Sequence, residues 1–388
     1  MGSNLRKFGA ALAFAVAGYA GAAAQDTIKV GEINSYSGLP AFTEPYRKGW
    51  QLALEEVNKA GGINGKKLEV SSKDDGGKPA DAITAANELV SRENVALLFG
   101  TFFSHVGLAV SDFAKQKKVL FLAAEPLTDA IVWSQGNRYT FRLRPSNYMQ
   151  AAMLAEEAAK LPAKRWATVA PNYEYGQSAV SVFKKILAEK RPDIQWVEEQ
   201  WPPQGKIDAG AVVQALAAAK PEAILNVEFG PDLTKFVREG NTRGLFKDRA
   251  VVSFLTGEPE YLDPLKDETP PGWIVTGYAW YGIRTPEHDA FLKAYQAKYN
   301  DIPDAYAAQA YGAAQILFDA IRRAGKADGP AIREALAATR DLHTVAGLIT
   351  FDQNRNPTKP AVVLQIKNGQ QAFVERIAPT DLPEAVRP

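Results

Sequence analysis

The side chains that could perform catalysis are few in this chain, and their spacing does not suit it. The three histidines, His105, His288 and His343, do not lie at the intervals that bind a metal ion. Ser104 and His105 are adjacent, whereas a serine nucleophile and its histidine base normally meet through the fold. The nucleophile-elbow pattern Gly-x-Ser-x-Gly does not occur in the sequence. We therefore expect no enzyme, no metal and no cofactor.

Two further segments begin like cofactor or ion sites and depart from them. A glycine- and lysine-rich segment suggests a phosphate loop, but Ala60 stands at its first glycine and Lys67 at its Ser/Thr. A calcium-loop pattern starts at Asp352, but Pro357 replaces the required glycine and Val363 the final glutamate. Neither segment predicts a binding site.

A ligand-binding pattern is more specific. Gly100–Ser104 follows a predicted buried strand and precedes a predicted helix, so free backbone N–H groups and the positive helix end lie together. Such a turn favours a carboxylate. The Ser104 hydroxyl is predicted either to donate to that carboxylate or to cap the helix.

Aromatic side chains cluster after predicted strands, where ligands of α/β proteins bind. They are Tyr36, Phe42, Phe102, Phe103, Tyr173, Tyr175, Phe229, Tyr278, Trp280 and Tyr281. Each could be a core residue, but together they predict an apolar, aromatic-lined pocket with a few polar groups.

Strand-like and helix-like segments alternate and must position these loops. The strands are predicted at 27–33, 68–72, 95–99, 119–123, 166–170, 194–200, 222–227, 250–255, 273–278, 361–367 and 371–377. The helices are predicted at about 44–60, 79–93, 104–117, 146–160, 175–190, 209–219, 231–243, 287–299, 304–325 and 329–338. This alternation indicates parallel sheets, and the elements are too many for one sheet.

The alternation is interrupted near residues 142–146, 276–286 and 344–349, which predicts three crossover segments between two lobes. The fold class is therefore α/β, with two doubly wound parallel-sheet lobes whose strand ends face each other across a cleft. The N-terminal lobe is predicted at 25–144 plus 278–346. The C-terminal lobe is predicted at 145–277 plus 347–388.

Residues 1–24 have the order of a secretory signal peptide. Arg6 and Lys7 precede an apolar run shorter than the ~20 residues that span a bilayer, and small residues precede Gln25. We expect cleavage between Ala24 and Gln25 and export to a periplasm. The chain has no cysteine, which excludes disulfides and a lipid anchor on cysteine, and its net charge of +1 does not suggest nucleic-acid binding.

Several segments together resemble type I periplasmic solute-binding proteins of the leucine/isoleucine/valine-binding kind. These segments are Gly31–Gly38, Asn58–Leu68, Asp74-Asp75 with Pro79 and Ala85-Ala86, Gly100–Ser104, Asn172–Gly176 and Ala307–Ala314. The resemblance implies the type I periplasmic binding protein fold, with three crossovers and a hinge that closes on the ligand. It also implies delivery of that ligand to the permease of an ABC transporter in the inner membrane.

The resemblance implies ligand positions as well. Ser104 matches the serine that holds an amino-acid carboxylate, and Ala124 matches a backbone position at the next strand end. Tyr175 and Phe229 match aromatic residues of the second lobe. Pro126 stands where the family has threonine.

The family's acid for the ligand ammonium falls near Thr256, with Glu258 close by, and Glu125 and Glu228 are further candidates. We also expect ligand contacts from Phe42, Phe103 and Trp280, which makes the predicted binding set Ser104, Phe103, Ala124, Glu125, Tyr175, Phe229, Glu258, Phe42 and Trp280.

The predicted function is thus the periplasmic, monomeric solute-binding component of an ABC transporter, binding a branched-chain or related amino acid. A small aromatic or aliphatic carboxylate or amide is the alternative ligand. An exported sensor that contacts a receptor, or less favourably an exported hydrolase, stays open as another class.

Overall fold

The computed structural model describes residues 27–358, 361–367 and 370–377. Its first sheet is entirely parallel, with strand order β2-β1-β3-β4-β5. The strands are β1 (Ile28–Asn34), β2 (Leu68–Asp74), β3 (Leu97–Gly100), β4 (Leu120–Ala123) and β5 (Thr140–Arg142). Helices α1 (Pro40–Lys59), α2 (Pro79–Ser91) and α3 (Ser104–Lys117) connect its strands. The central strands β3 and β4 are buried at every residue, as expected where helices cover both faces.

The second sheet begins after α4 (Asn147–Ala159). Its parallel strands are β6 (Arg165–Val169), β7 (Gln195–Gln200), β8 (Ala223–Asn226), β9 (Ala250–Gly257) and β10 (Ile274–Gly277). Helices α5 (Glu174–Lys190), α6 (Ala209–Ala219), α7 (Gly230–Thr242) and α8 (Pro259–Leu265) connect them. The helices α4 and α6 begin at side-chain caps, because Ser146 and Asp208 accept from backbone amides of the first turn.

The chain then returns to the first lobe through a 3-10 turn at Trp280–Gly282. The next helices are α9 (Pro286–Tyr299), α10 (Ala305–Ala324) and α11 (Gly329–Ala337). A small antiparallel sheet follows, with β11 (Leu342–Thr344), β12 (Gly347–Phe351) and β13 (Pro357–Thr358). Strands β14 (Ala361–Lys367) and β15 (Gln370–Ile377) pair antiparallel and extend the second sheet, giving the order β15-β14-β10-β9-β8-β6-β7.

The predicted fold class is confirmed: two parallel-sheet lobes, flanked by helices, are joined by three crossovers. The bounds of α3 and α6 match the prediction. Helix α8 departs from the prediction, because Pro259 and Pro264 lie inside this short helix, and the short strands β5 and β11–β13 are also additional to the predicted elements. The predicted signal peptide lies outside the described residues. No helix in the described part of the chain has the length and apolar character needed to span a membrane.

Contacts of the small sheet bear on the third crossover. The rings of Phe141 and Phe351 pack 5.3 Å apart, centroid to centroid. The backbone N–H of Arg142 donates to the Arg355 carbonyl at 3.1 Å. These contacts pack β12 and the following turn against β5 of the first sheet. The predicted lobe boundaries stay a prediction.

We expect Gly49→Ala to destabilise the first lobe by about 1–3 kcal/mol, because a Cβ at this position would lie 2.1 Å from the Ala307 carbonyl oxygen where α1 meets α10. The matched control is Gly210→Ala in α6, whose Cβ would meet only an ordinary contact at 3.5 Å. This control should be neutral or gain up to about 1 kcal/mol from helix propensity. Urea unfolding measures both, and equal effects would contradict the close packing of α1 on α10.

Candidate functional site

A narrow pocket lies between the two lobes, and we call it the cleft pocket. The residues that line it lie in or after the carboxyl-terminal ends of strands in both sheets, on a crossover or on α10. They are Phe102, Ser104, Glu125, Leu127, Arg144, Tyr173, Tyr175, Phe229, Leu255 and Tyr306. This is the expected position for a ligand in a doubly wound α/β protein.

A sharp turn after β3 presents Ser104 to the cleft pocket. Gly100 has a φ of +112°, and a Cβ there would lie 2.4 Å from the Ile33 carbonyl oxygen. Thr101 follows in the left-handed region, with φ 60°. Only a residue without Cβ allows so close an approach between this turn and β1.

The Ser104 hydroxyl is oriented by the backbone that follows β4. Its Oγ accepts from the N–H of Leu127 at 3.3 Å and from the N–H of Thr128 at 3.2 Å. These bonds use the two acceptor positions of the oxygen and direct its proton elsewhere. Ser104 is 2% exposed and is the first residue of α3, and no side chain caps that helix. The hydroxyl is therefore a donor suited to a ligand oxygen rather than a cap.

Arg144 is the centre of a buried ion-pair cluster that joins the two lobes. Its Nη1 donates to Glu125 Oε2 at 2.9 Å, and its Nη2 donates to Glu258 Oε1. Its guanidinium carbon lies 4.8 Å from the centre of the Tyr306 ring. Glu125 follows β4 of the first sheet and Glu258 follows β9 of the second. Two carboxylates and one guanidinium leave an excess negative charge in a buried place.

Further acids lie beside this cluster. Burial raises the pKa of Asp304 to about 7, and Glu258 and Glu125 add to the rise. Burial also raises the pKa of Glu260 well above its ordinary value. Burial raises the pKa of Glu258 too, while Arg144 and the Tyr306 hydroxyl oppose that rise. Because burial is the main cause of these raised pKa values, it favours the protonated, uncharged form of the acids beside Arg144.

Aromatic rings from both lobes form the walls of the cleft pocket. Phe102 of the first lobe stacks on Tyr306, with the ring centres 5.5 Å apart. Phe102 also meets Phe229 of the second lobe at 6.3 Å, and Phe229 contacts Tyr175 edge-on at 5.7 Å. A hydrogen bond also joins the two lobes, because the Thr128 hydroxyl donates to Glu174 Oε1 across the cleft at 2.5 Å. The structure thus shows the lobes in contact over the pocket.

The structure brings part of the predicted binding set together. Ser104, Glu125, Tyr175 and Phe229 line the cleft pocket. Phe42 and Phe103 lie one layer behind it, where both pack against Phe102.

The remaining predicted residues have other surroundings. Ala124 is buried, and its N–H donates to the Gly100 carbonyl at 3.0 Å, so the predicted amide contact with a ligand is not available in this conformation. Glu258 lies beyond Arg144, and Trp280 packs against Tyr281. Neither is among the described residues that line the cleft pocket. Glu228 is buried near Asp232 and does not belong to that lining either.

Four lining residues are additional to the predicted ones: Arg144, Leu127, Leu255 and Tyr306. Arg144 lies in the first predicted break of the strand-helix alternation. Its charge between apolar neighbours at a predicted crossover is the sequence feature that could have indicated a site residue. No group of histidine, aspartate or glutamate suited to a metal ion occurs within the described ranges.

The fold and the pocket define a two-lobed solute-binding protein whose lobes meet over a small-molecule site. A family model described as periplasmic binding protein matches residues 27–371, and the chain belongs to this family. Its relatives confirm the resemblance to leucine/isoleucine/valine-binding proteins of branched-chain amino acid ABC transporters.

One relative is the Leu/Ile/Val-binding protein homolog 7 of Brucella abortus, which is 27% identical over 92% of this chain and 93% of its own length. The leucine-binding protein LivK of Thermotoga maritima is 26% identical, with a TM-score of 0.82 over 92% of this chain and all of that one. The LivJ protein of Streptococcus pneumoniae, solved in complex with isoleucine, is 26% identical with a TM-score of 0.81, covering 91% of this chain and 99% of that one.

We expect Ser104→Ala to weaken ligand binding about tenfold or more, because a hydrogen bond to a charged group contributes roughly 1.5–3 kcal/mol. The variant also leaves two buried N–H groups without their acceptor, so it should lose about 1–3 kcal/mol of stability and stay folded. Ser111→Ala is the matched control, since Ser111 is also buried in α3 and bonds Thr140 Oγ1 at 2.8 Å. Calorimetry should show weakened binding only for Ser104→Ala, and equal affinities would make Ser104 purely structural.

Glu228 predicts a pH dependence of stability. Burial raises its pKa from 4.5 to about 8, with Asp232 adding to the rise. The folded protein then binds more protons than the unfolded chain between these values, so this contribution to the free energy of unfolding falls as the pH rises from 5 to 8. Glu228→Gln should remove more than about 1.4 kcal/mol of that fall, which corresponds to one pKa unit. The exposed Glu69→Gln is the control, and parallel stability curves for wild type and Glu228→Gln would refute the assignment.

Proposed function

We propose that this protein is the periplasmic component of an ABC transporter that binds a branched-chain or related apolar α-amino acid in the cleft pocket. The observation that carries the proposal is the presence of a hydroxyl donor and a carboxylate, Ser104 and Glu125, in one aromatic-walled pocket. An α-amino acid presents the complementary pair, a carboxylate and an ammonium, on one carbon atom.

The Ser104 proton is directed away from the two amides that bind its oxygen, so it can be donated to the ligand carboxylate. Glu125 accepts from the ligand ammonium while Oε2 keeps its bond to Arg144. Phe102, Tyr175 and Phe229 then surround an apolar side chain.

The charge balance supports a zwitterion over a simple carboxylate. The Arg144 cluster has an excess negative charge, so an ammonium is stabilised beside it and an uncompensated anion is not. The names of the relatives point the same way, since they refer to leucine, isoleucine and valine. A small aromatic carboxylate is the second candidate, because Arg144 also lines the aromatic pocket and could face an anion.

Lobe closure and docking on a permease are proposed because the chain belongs to the periplasmic binding protein family. Hinge closure brings the second-lobe residues Tyr175 and Phe229 onto a ligand held by the first lobe, and the closed form docks on the permease. We propose that the chain acts as a monomer, after cleavage between Ala24 and Gln25. An exported sensor with the same pocket would differ only in its docking partner.

Calorimetry with matched pairs of ligands tests the proposal. Leucine and phenylalanine should bind at least tenfold tighter than 4-methylpentanoate and 3-phenylpropanoate, which keep the carboxylate and side chain and lack the ammonium. Glu125→Gln should reduce that preference, whereas Glu228→Gln, outside the pocket lining, should retain it. Solution scattering should show a smaller radius of gyration with leucine bound.

Equal or tighter binding of the deaminated acids would refute the amino-acid proposal in favour of a carboxylate carrier. An unchanged radius of gyration on saturation would contradict closure of the lobes.

A further inference from the structure

A second cavity, larger than the cleft pocket, lies beside it where the three breaks in the strand-helix alternation come together. We call it the hinge cavity, and its wall includes Pro145, residues 276–279 and residues 345–347. Among the described residues, Arg144 and Leu255 line both cavities. These two residues therefore lie between the cleft pocket and the hinge cavity.

The two shared residues differ in what their replacement would do. Arg144 is held by ion pairs with Glu125 and Glu258, and its loss would leave buried acids without their partner. Leu255 is apolar and 5% exposed, so a shorter side chain there would uncover no charge. Leu255 is thus the part of the boundary whose size can be changed independently of the charges.

The backbone of Leu255 has a conformation that is unusual for a bulky residue. Its φ is 62°, in the left-handed region, although it lies within β9. The pairing of β9 with β10 is irregular at this point, because Ser253 pairs with Val275 and Gly257 with Gly277, so three residues lie opposite one. Irregular strand segments of this kind redirect a side chain, and they occur often next to binding sites.

Hydrogen bonds on both sides of Leu255 hold this conformation. Its N–H donates to Thr276 Oγ1 at 2.9 Å, and the Thr276 hydroxyl donates to Gln150 Oε1 at 2.8 Å. Its carbonyl accepts from the N–H of Glu258 at 2.9 Å. A strained backbone persists only where its surroundings fix it, and here both backbone polar groups are fixed. The position of the Leu255 side chain is therefore set by β10 and α4.

Apolar side chains line the space on both sides of Leu255. Phe229 lies on the side of the cleft pocket, and Met153, Ile283 and Val345 lie in the wall of the hinge cavity. If the side chain at position 255 were small, an alkyl chain in the cleft pocket could continue into this apolar space. Each buried methylene group would then favour binding about fourfold.

We propose that Leu255 is a specificity-determining residue, whose side chain closes the cleft pocket towards the hinge cavity and sets the greatest length of apolar ligand side chain that the pocket binds. The inference rests on the proposed function in one respect, because it takes the ligand to have an apolar side chain. It does not depend on whether the ligand has an ammonium group.

Calorimetry with two series of linear ligands tests the length limit. One series is norvaline, norleucine and 2-aminooctanoate, and the other is pentanoate, hexanoate and octanoate, which have the same side chains and lack the ammonium. In the wild type, 2-aminooctanoate should bind at least tenfold weaker than norleucine. In Leu255→Ala it should bind at least as tightly as norleucine, because its additional carbon atoms enter the hinge cavity.

Two control variants separate the length limit from a general change in the pocket. Leu127→Ala removes the same three carbon atoms from the wall of the cleft pocket, but Leu127 does not line the hinge cavity, so this variant should retain the wild-type preference for norleucine. Leu255→Met conserves most of the side-chain volume and should also retain it.

A stability comparison tests the conformation of Leu255 without any ligand. Leu255→Gly should unfold at a higher urea concentration than Leu255→Ala, because glycine adopts a positive φ without strain. The control is Leu225 of β8, which is buried and has an ordinary strand conformation, so Leu225→Ala should be more stable than Leu225→Gly. The same order at both positions would contradict the left-handed conformation on which the inference depends.

The outcomes distinguish this inference from the proposed function. If the series without the ammonium binds as well as the amino acids or better, the amino-acid proposal fails, and the length limit is then measured on that series. An unchanged preference in both Leu255→Ala and Leu255→Gly, or the same change in Leu127→Ala, would overturn the inference. Absence of binding of both series by the Leu255 variants would overturn it as well.

Discussion

The buried contact of Arg144 with Glu125 and Glu258 is the interaction on which the arrangement of the two lobes depends. It joins an acid at the end of β4 to an acid after the end of β9 through a residue of the first crossover. Removing one partner of a buried ion pair typically costs about 3–5 kcal/mol, because the other charge stays buried without compensation. The same arginine lines the cleft pocket. The same ion-pair cluster thus joins the lobes and contributes to both the charge and the shape of the cleft pocket.

The backbone explains why the donor and the acids meet. Parallel strands place their carboxyl ends at one edge of each sheet, and the two edges face each other. The turn at Gly100 and Thr101 then directs α3 so that Ser104 reaches the amides after β4. Ser104 and Glu125 belong to adjacent strand ends of one lobe, so they can form half of the site before the lobes close.

Local sequence patterns predicted the elements and the first-lobe donor. The bounds of α3 and α6 were predictable from apolar periodicity, and Ser104 from its place between a strand and a helix. Arg144 was not predictable as a site residue, because its partner Glu258 is 114 residues away and only the fold brings them together. Trp280 shows the opposite case: its place after a strand suggested the pocket, whereas a short 3-10 turn packs it against Tyr281 in the structure, and its ligand contact stays a prediction.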